Sequence, residues 1–559
     1  MRKIRVALAA LALGMTGTAA QADTLFDNVQ GITLDEEGKI KRFVAVLVGD
    51  DGRIQQVFQR GDTMPREVDY REDGQGRVMM PGLFDAHVHV MGIGFGALTL
   101  DLSQTKSLEE AQAMIAAYAA EYPDRPWILG RGWNQEIWGL GRFPTAAELD
   151  EVVGDRPVWL ERVDGHAAWA NTKALELAGV DETSRSPSGG RIERLPGTQT
   201  PSGVFVDAAM ELVQKVVLPP RPVDRDLALQ AAQKILVRNG IVAVADMGTT
   251  IEDWQSFRRA GDGGTLDIRI VSYGAGIDNM ALIGGPGPTR WLYDDRLHLA
   301  GVKLYLDGAL GSRGAWLKEP YSDAPGQTGL PLATPAQLRN MMSRASLNNF
   351  QLAIHAIGDA ANAEVLNAID DLDDTYGGDR RWRIEHAQIV APQDLARFGS
   401  LGVIASMQPL HQTSDMFMAE ARLDPSRLEG AYAWDTIRES GGRLAFGSDA
   451  PVEPADAFAA LAVAVSRQNA QGEPYGGWRS DEAVNFEQAL AAFTTGAAYA
   501  AFAEDRIGRI APGMRADFLF VDRDPTMASP SQLRETRVLE TWIGGRRVFR
   551  AGEENRVGT

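Results

Sequence analysis

Eight short apolar runs, each closing on polar residues, recur along the chain and constrain its fold more than any other feature. They are Met80–His89, Gly240–Asp246, Ile268–Gly274, Gly301–Asp307, Gln351–His355, Trp382–His386, Gly402–Gln408 and Arg443–Asp449. Helix-like stretches such as Pro335–Asn348 and Ala360–Leu372 separate most of them. Strands that are apolar throughout need cover on both faces, and alternation with helices supplies it in a parallel α/β sheet. Eight such units fit a closed (β/α)8 TIM barrel better than an open sheet.

At 559 residues, the chain exceeds the roughly 250 of a typical barrel, which leaves room for two additions. Residues 91–225 are too long for a crossover between the first two strands. They hold a strand candidate of their own, Pro157–Arg162, and a Gly/Trp-rich run, Gly130–Trp138. This segment is expected to be an insertion lying over the barrel mouth as a lid. Residues 23–80 and 505–559 carry β-type patterns and turns, as in Val44–Val48, Phe518–Val521 and Leu539–Ile543. Each end is short for a stable domain, so one composite β-sandwich is expected from both. The barrel with its insertion then occupies 81–504.

The first 22 residues read as a secretory leader. Arg2, Lys3 and Arg5 precede an apolar, small-residue run from Val6 to Ala20, and Ala20-Gln21-Ala22 fits a small-x-small cleavage site. A membrane anchor is the rival, but the run is short and rich in Gly, Thr and Ala. The mature chain is therefore expected to be periplasmic or secreted, with no membrane anchor. It has no cysteine, which excludes thiol nucleophiles and Cys-based metal sites. A net charge of −19 argues against nucleic-acid partners. The expected partner is a small-molecule substrate, with homo-oligomerisation left open.

Only seven histidines occur: 87, 89, 166, 298, 355, 386 and 411. Four lie at the C-terminal ends of expected barrel strands, where barrel active sites sit. His87 and His89, two apart on one strand, present their rings to the same face. His355 ends the fifth strand and His386 the sixth. Asp449 ends the eighth, which closes against the first. These five side chains can converge on one point, and neutral imidazole with carboxylate suits zinc and similar divalent ions. Asp85, two residues before His87, either orients a ligand or is structural. His298, ahead of the fourth strand, is read as structural.

PGLFDAHVH, AIHAIGDAAN, IEHAQ and FGSDAP together resemble the amidohydrolase superfamily. RVDGHAAWAN, VKLYLDGALGSR and SMQPLHQTSD narrow the resemblance to amidohydrolase family 3, the YtcJ-like group that includes N-substituted formamide deformylases. IGRIAPGMRADFLFVDRDP and TWIGGRRVF match the closing part of the sandwich, so the likeness spans nearly the whole mature chain. It implies a metal-dependent hydrolase acting on carbon–nitrogen bonds other than peptide bonds. It also implies that Lys303 is N6-carboxylated by CO2 and bridges two divalent ions, Zn, Mn or Fe. His87, His89 and Asp449 would hold one ion, and His355 and His386 the other. A shared, acidified water would attack the substrate carbonyl, with Asp449 as general base and then general acid. The competing reading of Lys303 is an unmodified lysine paired with Asp307 beside a single metal. His166, in Asp164-Gly165-His166, either polarises the substrate carbonyl or is a rim histidine. Arg313 either binds an anionic substrate group or forms a plain salt bridge. His411 and Asp415 follow the seventh strand and can line the pocket. Trp133, Trp138 and Phe143 either contact an apolar substrate group or form the core of the lid.

The same scaffold can cleave esters or cyclic amides, or deaminate. A non-catalytic binding protein is disfavoured because every expected ligand position is occupied. A glycosidase could use Asp307, Glu385 or Asp449 as its carboxylate pair, but that leaves the histidines unexplained.

Overall fold

The eight apolar runs form one sheet. In the computed structural model, which describes residues 23–553, the strands are β1 (Leu83–Val88), β2 (Ile241–Thr249), β3 (Arg269–Ala275), β4 (Leu297–Tyr305), β5 (Gln351–Ala356), β6 (Arg383–His386), β7 (Ile404–Met407) and β8 (Arg443–Phe446). They are ordered sequentially and pair in parallel. Just beyond β8 the ring closes onto β1, with Val88 bridging Ala450 and the Asp449 N–H donating to the His87 carbonyl at 2.7 Å. Nearly every strand residue is buried, as required of strands between a packed interior and a layer of helices. Helices such as Pro335–Leu347 and Asp359–Asp373 supply that layer.

The first apolar run does not form one strand. Val78–Pro81 pairs with Gln30–Leu34 and Phe518–Val521, and only Leu83–Val88 enters the barrel. Gly82 stands at the break, where a Cβ would lie 2.5 Å from the Val242 side chain. The two chain ends thus share a six-stranded sheet, which faces a four-stranded sheet made from the N-terminal part alone. Phe26, Val46, Met79, Phe518, Phe520 and Trp542 fill the space between them.

Arg269, at the start of β3, ties the barrel to this sandwich through two bonds to Asp517, at 2.6 and 2.8 Å. Both side chains are buried. Breaking a buried pair leaves one charge uncompensated, so Asp517→Ala should lower stability by about 3–5 kcal/mol. Denaturant unfolding measures this, and a loss within experimental error would mean that Arg269 finds other partners.

The insertion starts later than its sequence suggests. Helix Val90–Leu98 packs against helix Pro222–Arg238, and both belong to the barrel side. Gly94 permits the contact, because a Cβ there would lie 2.0 Å from the Ala228 carbonyl oxygen. Between these helices runs a six-stranded sheet, from Leu100–Asp101 to Pro201–Asp207, with Val158–Arg162 near its centre. The leader read in residues 1–22 lies outside the described residues. Among the described residues no helix is long and apolar enough to cross a membrane.

Candidate metal centre

Strand alternation brings the expected ligands to one end of the barrel. His87 is fully buried and His89 is half-buried at the cavity edge. Asp449 sits between them, its Oδ1 3.5 Å from His87 Nε2 and 3.1 Å from His89 Nε2. Its Oδ2 lies 3.9 Å from His386 Nδ1 and 3.6 Å from His411 Nε2. Two trios, His87–His89–Asp449 and His386–His411–Asp449, therefore share one carboxylate. Lys303 Nζ is 3.1 Å from His87 Nε2 and 4.8 Å from the centre of the Tyr305 ring. His355 belongs to neither trio. Its ring centre is 4.5 Å from that of His386, while its Nε2 approaches the Gly308 carbonyl at 3.4 Å and Asp307 at 3.5 Å.

Buried partners orient these groups. Glu385 holds His87 Nδ1 at 2.6 Å and is itself bound by Arg383 at 2.7 and 3.1 Å. Gln408 takes His386 Nδ1 at 2.9 Å. Asp85 accepts from the backbone N–H groups of His87 and Ser448 and from the Ser448 hydroxyl. It thereby fixes β1 against the residue before Asp449, and burial pushes its carboxyl up to about 7. His386 and Asp449 both have positive φ, at 74° and 59°. Such backbone costs of order 1–3 kcal/mol per residue and clusters at functional sites.

Electrostatics favour a cation here. Burial holds the imidazoles of His87, His355 and His386 well below their ordinary pKa, leaving them neutral with lone pairs to give. Burial also lowers Lys303 to about 8, against the pull of Glu385 and Asp449. For Asp449 burial acts in the opposite sense, but His87 and His89 outweigh it and keep the carboxyl ionised. Asp449 Oδ1 and His411 Nε2 are buried without a hydrogen-bond partner. The neutral imidazoles of His87 and His386 beside an ionised, under-satisfied carboxylate are donors of the kind a divalent ion takes.

The cluster forms the floor of a cavity of about 1110 Å³, whose walls include Arg131, Glu161, His166, Tyr305 and Glu453. The insertion therefore contributes to the site. His166 reaches in from it, its ring 5.2 Å from that of His355 and its Nδ1 2.7 Å from Asp207. His411 and Asp415 also line the cavity.

Three expected site features fall elsewhere. Arg313 is absent from the cavity wall and pairs with Asp323 at 2.7 Å, its plain salt-bridge reading. Trp133 is wholly buried among Trp138, Phe143 and Trp169, and its indole N–H donates to the Leu160 carbonyl, so it is core of the insertion. Lys303 does not meet Asp307, whose carboxylate takes the backbone N–H groups of Trp316, Ile357 and Gly358. His298 lies inside β4 rather than ahead of it, stacked on Trp291 at 5.0 Å, and burial pushes it down to about 4. Asp207, Arg383, Gln388 and Gln408 were not singled out from sequence. For the last three a signal existed, namely polar residues in or beside apolar strands, close to a ligand candidate.

A parallel barrel with a histidine–aspartate cluster at its C-terminal mouth is the architecture of a metal-dependent hydrolase. The chain belongs to the amidohydrolase family, whose model matches residues 72–549. It is 35% identical over 493 residues to Protein LONG AFTER FAR-RED 3 of Arabidopsis thaliana, covering 85% of this chain and 83% of that one. Identity is 31% over 484 residues to YtcJ of Bacillus subtilis (strain 168), covering 85% and 89%. It is 27% over 494 residues to the N-substituted formamide deformylase of Arthrobacter pascens, covering 85% and 88%. An uncharacterized metal-dependent hydrolase from Pyrococcus horikoshii superposes with a TM-score of 0.73 at 26% identity, over 91% of this chain and 99% of its own.

Proposed function

We propose that this amidohydrolase cleaves an amide-type C–N bond, in an N-acyl or N-formyl compound, at a centre of two divalent ions. The observation that carries the reading is the convergence of two histidine pairs on Asp449 at the cavity floor, with Lys303 Nζ 3.1 Å from His87 Nε2. His87, His89 and Asp449 would hold one ion, His355 and His386 the other, with Lys303 between them. Bound there, such ions (Zn, Mn or Fe) would supply a Lewis acid for the carbonyl and an acidified water.

The chain's own groups do the rest. Burial moves the Lys303 ammonium toward its neutral amine. That form adds to CO2 and loses a proton, giving an anionic carbamate in place of a cation beside the metals. Ionised Asp449 takes a proton from the attacking water and returns it to the leaving nitrogen. Burial alone would lower the pKa of His166, but the hydrogen bond and charge of Asp207 outweigh it and raise it to about 9. His166 is then cationic at neutral pH and suited to donate to the substrate carbonyl oxygen. The formamide deformylase among the relatives favours a C–N bond. A glycosidase is disfavoured because Asp307 and Glu385 are already engaged by backbone N–H groups and by His87 and Arg383.

The test combines elemental analysis of chelator-free protein with a panel of N-formyl and N-acyl amines and their ester counterparts. Two ions per chain and turnover of amides are expected. Cleavage of the esters alone would overturn the bond assignment, and one ion or none would overturn the paired centre.

A further inference from the structure

His411 stands where the family resemblance assigns no ligand, yet its ring is built into the centre as firmly as that of His386. The two rings stack at 5.9 Å with an interplanar angle of 19°. Two glutamines support them crosswise. Gln408, just past β7, holds Nδ1 of His386, which ends β6. Gln388, just past β6, lies 3.0 Å from Nδ1 of His411, which follows β7. All four side chains are buried. A neutral imidazole whose Nδ1 hydrogen is taken by such a partner presents its Nε2 lone pair, the form a metal needs.

The hydrogen bonds around Gln388 select that form for His411. The Tyr432 hydroxyl has one hydrogen and lies 2.7 Å from the Asp415 carboxylate, which can only accept. As placed, the hydroxyl faces Gln388 Oε1 at 3.3 Å and Gln388 Nε2 faces His411 Nδ1 at 3.0 Å. With the hydroxyl hydrogen given to the ionised Asp415, two oxygens would confront each other, so we assign the amide turned by 180°, with its NH2 toward the hydroxyl. The amide oxygen is then left for His411 Nδ1, which must carry the imidazole hydrogen. Nε2 keeps a bare lone pair, buried without a partner and 3.6 Å from Asp449 Oδ2. A lone pair set against a carboxylate oxygen is repulsive until a cation lies between them.

We propose that His411 Nε2 is a further ligand of the ion assigned to His355 and His386, so that Asp449 would serve both ions, Oδ1 on the His87–His89 side and Oδ2 on the His386–His411 side, and that Gln388 is the positioning residue that sets the His411 tautomer. The metal is then held from the segment after β7 as well as from β6 and β8. This inference rests on the metal centre of the proposed function.

The test measures divalent-metal binding by chelator competition and the visible spectrum of the cobalt-substituted protein, for the wild type, His411→Ala and Gln388→Leu. His411→Ala should lose one ion or bind it at least about 100-fold more weakly, and its cobalt spectrum should change. Gln388→Leu should weaken the same ion by about 10–100-fold. Far-UV circular dichroism of the metal-free proteins checks the fold, and Gln388→Leu decides the matter if His411→Ala does not fold. Wild-type binding with unchanged affinity and spectrum in the variants would overturn the role of His411 alone. A wild-type protein that binds no divalent ion would overturn the metal centre itself.

Discussion

Asp449→Asn is expected to lower kcat by about a thousandfold or more, within the range that a lost general base costs, while the barrel stays folded. Asparagine has the same shape and accepts the left-handed backbone found at this position, where φ is 59°. The backbone bonds from Asp449 N–H to the His87 carbonyl and from Val452 N–H to the Asp449 carbonyl survive the change. What disappears is the ionised carboxylate that approaches His87, His89, His386 and His411 within 3.1–3.9 Å. Metal content should fall together with kcat, because no other carboxylate belongs to either trio. Steady-state kinetics with elemental analysis of the purified variant measure both. Retention of kcat within tenfold of wild type would remove Asp449 from the proton path.

The second large effect concerns a residue that touches no substrate. Glu385→Ala should destabilise the protein by about 3–5 kcal/mol, because it strands the buried Arg383 guanidinium. The other Arg383 partners, the Ala86 carbonyl, the Ser406 hydroxyl and the Tyr273 hydroxyl, are neutral. The same substitution frees His87 Nδ1, and loss of such a support weakens metal binding by about 10–100-fold. The two effects separate in the double variant Arg383→Met with Glu385→Leu. Replacing a buried ion pair by apolar side chains is often neutral or stabilising, so stability should return while metal affinity stays low. If the double variant regains both, Glu385 serves the fold alone.

Much of this site is legible in the sequence. The pairing of His87 with His89 on one face follows from strand alternation, and His355 and His386 ended their runs where barrel chemistry sits. Other features were open because they depend on segments distant in sequence. Whether Trp133 faced a substrate or a core turned on Trp169 and Leu160, and whether Arg313 was free turned on the loop that carries Asp323. The crossed support of His386 by Gln408 and of His411 by Gln388 joins residues 22 and 23 positions apart across two strands.

The sequence by itself determined the eight-stranded architecture and the main metal-ligand candidates. Both are written in local periodicity, meaning apolar runs of strand length with a polar residue at the C-terminal end of each. Only the tertiary structure decided which side chains meet. Closure of β8 onto β1 brings Asp449 to His87 across 362 positions, and the return of the insertion puts Asp207 behind His166. Those contacts are fixed by packing and hydrogen-bond satisfaction over the whole barrel, for which no local pattern in the chain stands as a record.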